Sequence, residues 1–389
     1  MYYVDKDYSK KSSGARFFSA IESELTKFPE YSKNKYKYVL INISTPLKKF
    51  LIYKFLNKKL ILRVDGNYSY PITKGAINAS NCLIVLIFNF LNKFKIIYPI
   101  LKKLAKNNMI NFIFNLQFNI SNYIKIYFSN LVIYQSSFSL ESHKKIFPKK
   151  NYKIIYNSSP WKFIDLPFIK YEKSKVNKKR NAIKLCTSFH KDRPLKGFGD
   201  LLIDLEEIRN QDIQTSIDLH IFGYIPNCFI KTYSKKIIDA DEFINLNKSW
   251  ISVSPSFSYY SKNLSKSLNS SDAYITYAQL DPCPNIVFEA LSHGLPIIGC
   301  NSGGIPEIIK GCGEILPIEN STNNIYQNLN FEYGLKPPKK IHLYEAIIKI
   351  KKNQIAYREN IKHFLKTTFS NENSVRAYHK LLKNLTFNN

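Results

Sequence analysis

The chain has 389 residues, 44% hydrophobic and 22% charged, a balance that excludes a largely disordered chain and a bundle of membrane spans. That length is ample for two domains, because single hydrophobic cores stop growing at roughly 250–300 residues. The net charge of +28 has three competing explanations: attraction to nucleic acid, attraction to an anionic membrane face, or a bias toward Lys, Asn, Ile, Tyr and Phe.

No helix-turn-helix, zinc-finger or RNA-recognition signature accompanies the charge, so no nucleic acid partner is expected. A patch such as Lys144, Lys145, Lys149, Lys150 and Lys153, or the run Lys173 to Arg180, would instead draw the protein to anionic headgroups. The amino terminus lacks the basic, apolar and small-residue succession of a secretory signal. The most apolar runs, Cys82 to Phe88 and Met109 to Phe114, fall short of the roughly 20 residues a membrane-crossing helix needs. Six scattered cysteines, Cys82, Cys186, Cys228, Cys283, Cys300 and Cys312, form no CxxC pair and read as reduced thiols. A cytoplasmic protein is expected, with any membrane contact peripheral at the inner face.

Short β-rich runs alternate with helical patterns throughout, which predicts βαβ units and mainly parallel sheets. The first helix is expected at Arg16 to Phe28, where Phe17, Ile21, Leu25 and Phe28 share a face. Strands follow at Tyr38 to Ile43, Leu60 to Val64, Leu131 to Tyr134 and Ile154 to Tyr156. The polar stretch around residues 165–181 reads as an interdomain linker. Strands then resume at Ile183 to Cys186, Asp218 to Phe222, Trp250 to Val253, Ala273 to Tyr277 and Pro296 to Gly299, and a helical tail from Leu343 to Leu385 closes the chain.

Ligands of open parallel sheets bind beyond the carboxyl ends of the strands, and three segments there suit a phosphate-bearing ligand. The first runs from Thr187 to Asp200 and enters a helix with the apolar stripe Phe198, Leu201, Leu202, Leu205 and Ile208. Lys196 then stands at a helix amino terminus, where open N–H groups already favour an anion. Lys191 and Arg193 offer a second cation. In the second, Tyr277 to Gly294, Asn285 reads as an N-cap, Ile286 to Phe288 as backbone donors and Gly294 as the left-handed residue past the helix end. Asp281 and Glu289 flank that helix start with seven residues between them, as acceptors for sugar and ribose hydroxyls. In the third, Gly303 and Gly304 permit close backbone approach before Pro306 opens a helix. Gly223, just past its strand, is a further candidate for lining the site. Taken singly, a solvated lysine, a capped helix and a plain turn are the simpler readings.

Taken together, Asp281-Pro-Cys-Pro-Asn-Ile-Val-Phe-Glu289-Ala-Leu-Ser-His-Gly294-Leu-Pro296 and Ser302-Gly-Gly-Ile-Pro-Glu307 resemble the family-4 group of retaining glycosyltransferases with GT-B architecture. The resemblance spans most of the second half, and Ser12 to Arg16, Leu62 to Gly66 and Val132 to Phe138 match it more loosely. The Arg63-Val-Asp-Gly66 and Gln135-Ser-Ser-Phe138 pieces resemble enzymes that build bacterial surface polysaccharide. It implies an α/β fold of two Rossmann-like domains facing a central cleft. The expected bounds are 1–170 for an acceptor-binding domain, 171–365 for a nucleotide-sugar-binding domain and 366–389 for a helix packing back on the first. It further implies that Lys196 clamps the diphosphate, Asp281 contacts the donor sugar and Glu289 contacts the ribose. Asp281 stands where a glutamate is usual and the common Gly-Arg pair before the lysine is absent, so the second cation stays open among His190, Lys191 and Arg193.

The activity so implied moves a sugar from a nucleotide-sugar donor to a glycan or lipid-linked acceptor. It needs no bound cofactor and no metal, since cations and helix amino termini can hold the departing diphosphate. Asp239-Ala-Asp-Glu242, the acidic run closest to a metal-binding pair, reads as an exposed loop. Asp65 is the expected polar residue on the acceptor side, with a plain turn aspartate as the alternative. The remaining histidines, His220 and His293 among them, read as structural. Two rival readings remain: a nucleotide-sugar epimerase or a phosphorylase of the same plan, and a non-catalytic basic protein binding glycan or nucleic acid. The absence of histidine from residues 1–142 counts against the epimerase.

Overall fold

The computed structural model describes residues 1–5, 13–64, 121–144, 151–159, 182–189, 197–211, 216–223, 225, 228–231, 236–254, 262–318 and 337–387. Two parallel sheets organise them. The first holds β1 (Tyr2–Val4), β2 (Tyr38–Asn42), β3 (Lys59–Val64), β4 (Leu131–Tyr134) and β5 (Tyr152–Ile154), paired in that order. The second holds β6 (Ile183–Phe189), β7 (Ile217–Gly223), β10 (Ile251–Ser254), β11 (Ala273–Thr276), β12 (Ile297–Cys300) and β13 (Gly313–Leu316). Its spatial order is β10-β7-β6-β11-β12-β13, all parallel, and β8 (Cys228–Lys231) and β9 (Lys236–Asp239) make a separate antiparallel hairpin.

Side chains alternate across each strand, so each sheet separates two apolar layers. On the first sheet Tyr2, Val4, Leu40, Ile61 and Ile133 face α1 (Ser13–Leu25), while Val39, Ile41, Leu60, Leu62 and Val132 face α2 (Leu47–Phe55) and a helical run at 121–128. On the second, Leu185, Leu219, Ile275 and Ile298 face α4 (Phe198–Gln211), α5 (Ala240–Leu246) and α9 (Lys340–Phe364). Cys186, Tyr274 and Ile297 point the other way, onto α6 (Lys262–Asn269), α7 (Asn285–Ser292) and α8 (Ile305–Ile309). The stripe Phe198, Leu201, Leu202, Leu205 and Ile208 of α4 is buried as its spacing predicts.

After α9 the chain widens into a π-helical turn, Leu365–Phe369, and ends in α10 (Asn371–Phe387). Leu365 and Phe369 still pack with the second sheet, whereas Val375, Tyr378 and Leu382 lie in the core of the first beside α1. The final helix is thus covalently an extension of the second half and physically part of the first.

Several expectations shift. The edge strand β5 pairs through Tyr152–Ile154, two residues before the apolar run Ile154 to Tyr156, because Tyr156 leaves the sheet to reach Glu307 of the other half. Helix α1 begins earlier and ends at Leu25, and its buried positions include Phe18, Ile21 and Leu25. Asp239 to Glu242 is not a loop: Asp239 ends β9 and N-caps α5, accepting from the Glu242 N–H at 2.8 Å. The helical tail is broken by Asn353, whose φ of −118° is non-helical, and by the π-helical turn. Three strands too short to show a period, β1, β8 and β13, escape a pattern reading, as does β9. The linker expected at 165–181 lies outside the described residues.

Candidate active site

The second sheet reverses its winding between β6 and β11. From β6 the chain steps to β7 and β10 on one side, then returns to lay β11, β12 and β13 on the other. Two loops must diverge from the carboxyl ends of β6 and β11, and the gap between them is where open α/β sheets take ligands. Gly197, the last residue before α4, has φ +58° and sits so close to this gap that a Cβ on it would fall 2.8 Å from Cβ of Tyr277. Tyr277 itself is clamped from α4, its hydroxyl donating to Asp204 at 2.8 Å.

The loop after β11 is tightly determined. Leu280 adopts φ +57°, a left-handed value costly for a branched residue, and its N–H donates to the Ser302 hydroxyl at 3.0 Å. Asp281 accepts from the Cys283 N–H at 3.2 Å, an aspartate turn that aims the chain into α7. Pro284, not Asn285, occupies the N-cap, and no side chain caps the helix. Proline and the aspartate turn already fix the entry, which frees the Asn285 side chain to accept from Asn157 Nδ2 at 2.6 Å. The Val287 N–H donates to the Pro284 carbonyl at 3.1 Å, so it is not an open donor. Asn285 and Ile286 supply the first helical N–H groups, which have no acceptor within the helix. Glu289 lies in the next turn, buried at 2% exposure, and its carbonyl pairs with His293 Nδ1 at 2.7 Å. Gly294 has φ +71° and ends α7, its N–H donating to the Leu291 carbonyl at 2.8 Å while the Leu295 N–H returns to the Ala290 carbonyl at 3.1 Å.

Gly303 and Gly304 approach protein backbone. A Cβ at Gly303 would lie 2.3 Å from the Asp281 carbonyl oxygen, and one at Gly304 would lie 2.0 Å from that of Pro282. The Gly304 N–H seals the contact by donating to the Asp281 carbonyl at 2.9 Å. The glycine turn therefore buttresses the Asp281 loop from behind. Gly223, at φ +121°, ends β7 beside β6, on the same carboxyl edge.

The same segments meet the first half of the chain. Both oxygens of Glu307, at the start of α8, accept from the first backbone N–H groups of α3 (Ser137–Lys144): Ser137 and Phe138, each at 2.8 Å. The Tyr156 hydroxyl adds a third donor at 2.8 Å, and burial, with that carboxylate second, pushes its pKa up to about 12. Asn157 bridges further, donating to Asn285 while its Oδ1 accepts from Arg63, which also reaches the Tyr378 hydroxyl of α10. Arg63 is fully buried, so the Leu62 to Gly66 strand end is in this part a structural tie. Because the contacts join loops after β4 and β5 to loops after β11 and β12, the carboxyl ends of the two sheets face each other.

Of the residues expected in the site, Asp281, Asn285, Ile286, Val287, Glu289, Gly303 and Gly304 come together on this edge. Lys196, Arg193, Lys191, His190 and Asp65 lie outside the described residues. Glu307, Asn157 and the Ser136–Phe138 turn join the two halves beside this edge, a tie that the sequence reading does not contain. Glu307 was visible only as the end of a glycine-proline motif, and nothing local marks a partner 170 positions away.

No protein-family model matches the chain, and no curated protein matches it in sequence. Solved structures do match. A sucrose-phosphate synthase from Thermosynechococcus elongatus superposes with TM-score 0.55 at 12% identity, over 98% of this chain and 81% of that one. WaaG, a glycosyltransferase involved in lipopolysaccharide biosynthesis, gives 0.53 at 11%, over 97% and 98%. HepE from Anabaena, solved in complex with UDP, gives 0.52 at 12%, over 97% and 85%. The chain has the GT-B fold. In this GT-B chain the starts of α7 and α8 contact the first half, and among the described residues no group of His, Cys, Asp and Glu is arranged to hold a metal ion. Cys186, Cys283, Cys300 and Cys312 are buried free thiols, and no described helix is long and apolar enough to cross a membrane.

Proposed function

We propose that this chain is a glycosyltransferase that takes a sugar from a nucleotide-sugar donor, with retention of configuration, and passes it to a glycan or lipid-linked acceptor in surface polysaccharide synthesis. The observation that carries the reading is the winding reversal between β6 and β11, with the start of α7 and the Gly197 turn on its rim. An anion placed there meets open helix N–H groups, which stabilise a departing diphosphate without reorganising. Lys196, one residue before Gly197, supplies the cation, with Arg193, Lys191 or His190 as the second. Asp281 and Glu289 take sugar and ribose hydroxyls, and Asp65, directly after β3, orients the acceptor hydroxyl. The leaving group is held by cations and N–H dipoles, so the step is proposed to run without a metal. The basic surface is proposed to keep the protein at the inner face of an anionic membrane.

Transfer or donor hydrolysis measured for Lys196→Ala and Glu289→Gln tests the roles. Each loses a contact to the donor, and the expected fall is about 10²–10³ in rate. Activity within a few-fold of the parent would remove that residue from the site. A thermal-shift screen of UDP-, GDP-, ADP- and CMP-sugars identifies the donor, whose binding raises the unfolding temperature.

A further inference from the structure

Helix α2 buries Phe50 and Tyr53 against the first sheet but leaves Leu51 51%, Ile52 46%, Phe55 91% and the following Leu56 54% exposed. At about 3.6 residues per turn these four occupy one side of the helix, and exposed Lys48 falls among them. The helical run at 121–128 packs in the same layer through Ile126. Buried Lys125 pins it to the segment entering α2, donating from Nζ to the carbonyls of Ile43 and Thr45 at 2.5 and 2.9 Å. That run ends on Tyr127, 63% exposed, and Phe128, 51% exposed. Both helices finish at the start of β3: Lys58 N–H returns to the Tyr53 carbonyl, and Asn130 exchanges backbone and side-chain bonds with Leu60. The two apolar groups therefore lie at one end of one helical layer.

The acid that meets α2, Asp5, is buried against Lys49 at 2.7 Å, so it adds no exposed negative charge beside these groups. Asp65 is the only acidic residue between Glu30 and Glu141 in the sequence, whereas Lys48, Lys54, Lys58 and Lys59 all fall on or beside α2. A protein partner would have to neutralise these ammonium groups with acids of its own. An anionic bilayer supplies the complement everywhere at once: acyl chains for Leu51, Ile52 and Phe55, and phosphates for exposed Lys48 and Lys59, whereas Lys58 is already committed to the Tyr36 carbonyl at 2.8 Å.

We propose that the outer face of α2, with Tyr127 and Phe128, is the surface that docks this chain on an anionic membrane. The assignment rests on the peripheral-membrane part of the proposed function and is independent of the transfer chemistry.

The test is flotation of the full chain with vesicles of phosphatidylcholine, with and without phosphatidylglycerol. The chain should float with the anionic vesicles alone. Leu51→Ser/Phe55→Ser should weaken partitioning tenfold or more, since both side chains lose apolar burial, and Lys48→Gln by about fivefold, the worth of one lysine near the surface. Because these side chains are exposed, unfolding temperature and nucleoside-diphosphate binding should not change. A parent chain that ignores anionic vesicles, or a double variant that partitions like the parent, overturns the proposal. So does a double variant that partitions normally but converts a dimer to a monomer, which makes a second copy the occupant. Vesicle binding lost with nucleotide binding intact sinks only this surface, and the converse sinks only the transferase reading.

Discussion

The carboxylate of Glu307 closes the first turn of α3 from the other half of the chain, with two backbone N–H groups and the Tyr156 hydroxyl converging on it. Charge-assisted bonds at a helix amino terminus are stronger than neutral ones, and here they fix α8, and with it the glycine turn behind Asp281. Glu307→Gln keeps the shape but removes the charge and turns a donor toward N–H groups. Stability should fall by about 2 kcal/mol, read from the urea midpoint, and the two halves should begin to unfold separately. An unchanged midpoint would show that the contact contributes nothing in solution. Asp281 shows a compromise at the same scale: one oxygen accepts the Cys283 N–H, so its carboxylate is set by the turn before it meets any ligand.

Helix α3 carries a second constraint. His143, in its last turn, is fully buried, with Nδ1 on the Ser139 carbonyl at 2.7 Å, and burial holds its pKa down at about 4. The unfolded chain binds that proton near pH 6.5. Between the two values the unfolded state holds more protons, so stability is full above about pH 6.5 and declines as pH falls toward 4. The loss from this group reaches about 2 kcal/mol at pH 5. Denaturant titrations across that range should show the slope, and His143→Gln should flatten it. A slope that survives the substitution would assign the effect elsewhere. Helix α7 makes a different point about elements: its amino terminus is fixed by Pro284 and the Asp281 turn, which leaves the Asn285 side chain for Asn157.

At the scale of the molecule, the last helix belongs to the first sheet. Leu382 is fully buried in the same cluster as Tyr2, Leu40 and Ile61. Leu382→Ala, only seven residues from the chain end, should therefore cost about 2–5 kcal/mol. The loss should appear as faster hydrogen exchange in β1, β2 and β3. Protection lost only in the second sheet would contradict this packing. The stacking of Phe28 on His379, with ring centroids 3.6 Å apart, and the Arg63–Tyr378 bond tie the same helix to the α1 face of the first sheet.

The sequence by itself determined the alternation of strands and helices, the stripe of α4 and the left-handed Gly294, because each depends on local period or on one backbone torsion. It also marked Asp281, Glu289 and the glycine pair, since their spacing is preserved along one continuous segment. Only the tertiary structure decided what those groups face. Gly303 and Gly304 serve the Asp281 and Pro282 backbone, Asn285 serves Asn157, and Glu307 serves α3, each through a partner far away in sequence. The shift of β5 and the assignment of α10 to the first sheet have the same origin. Strand pairing and burial are settled between distant segments, and no periodicity within either segment records which partner it meets.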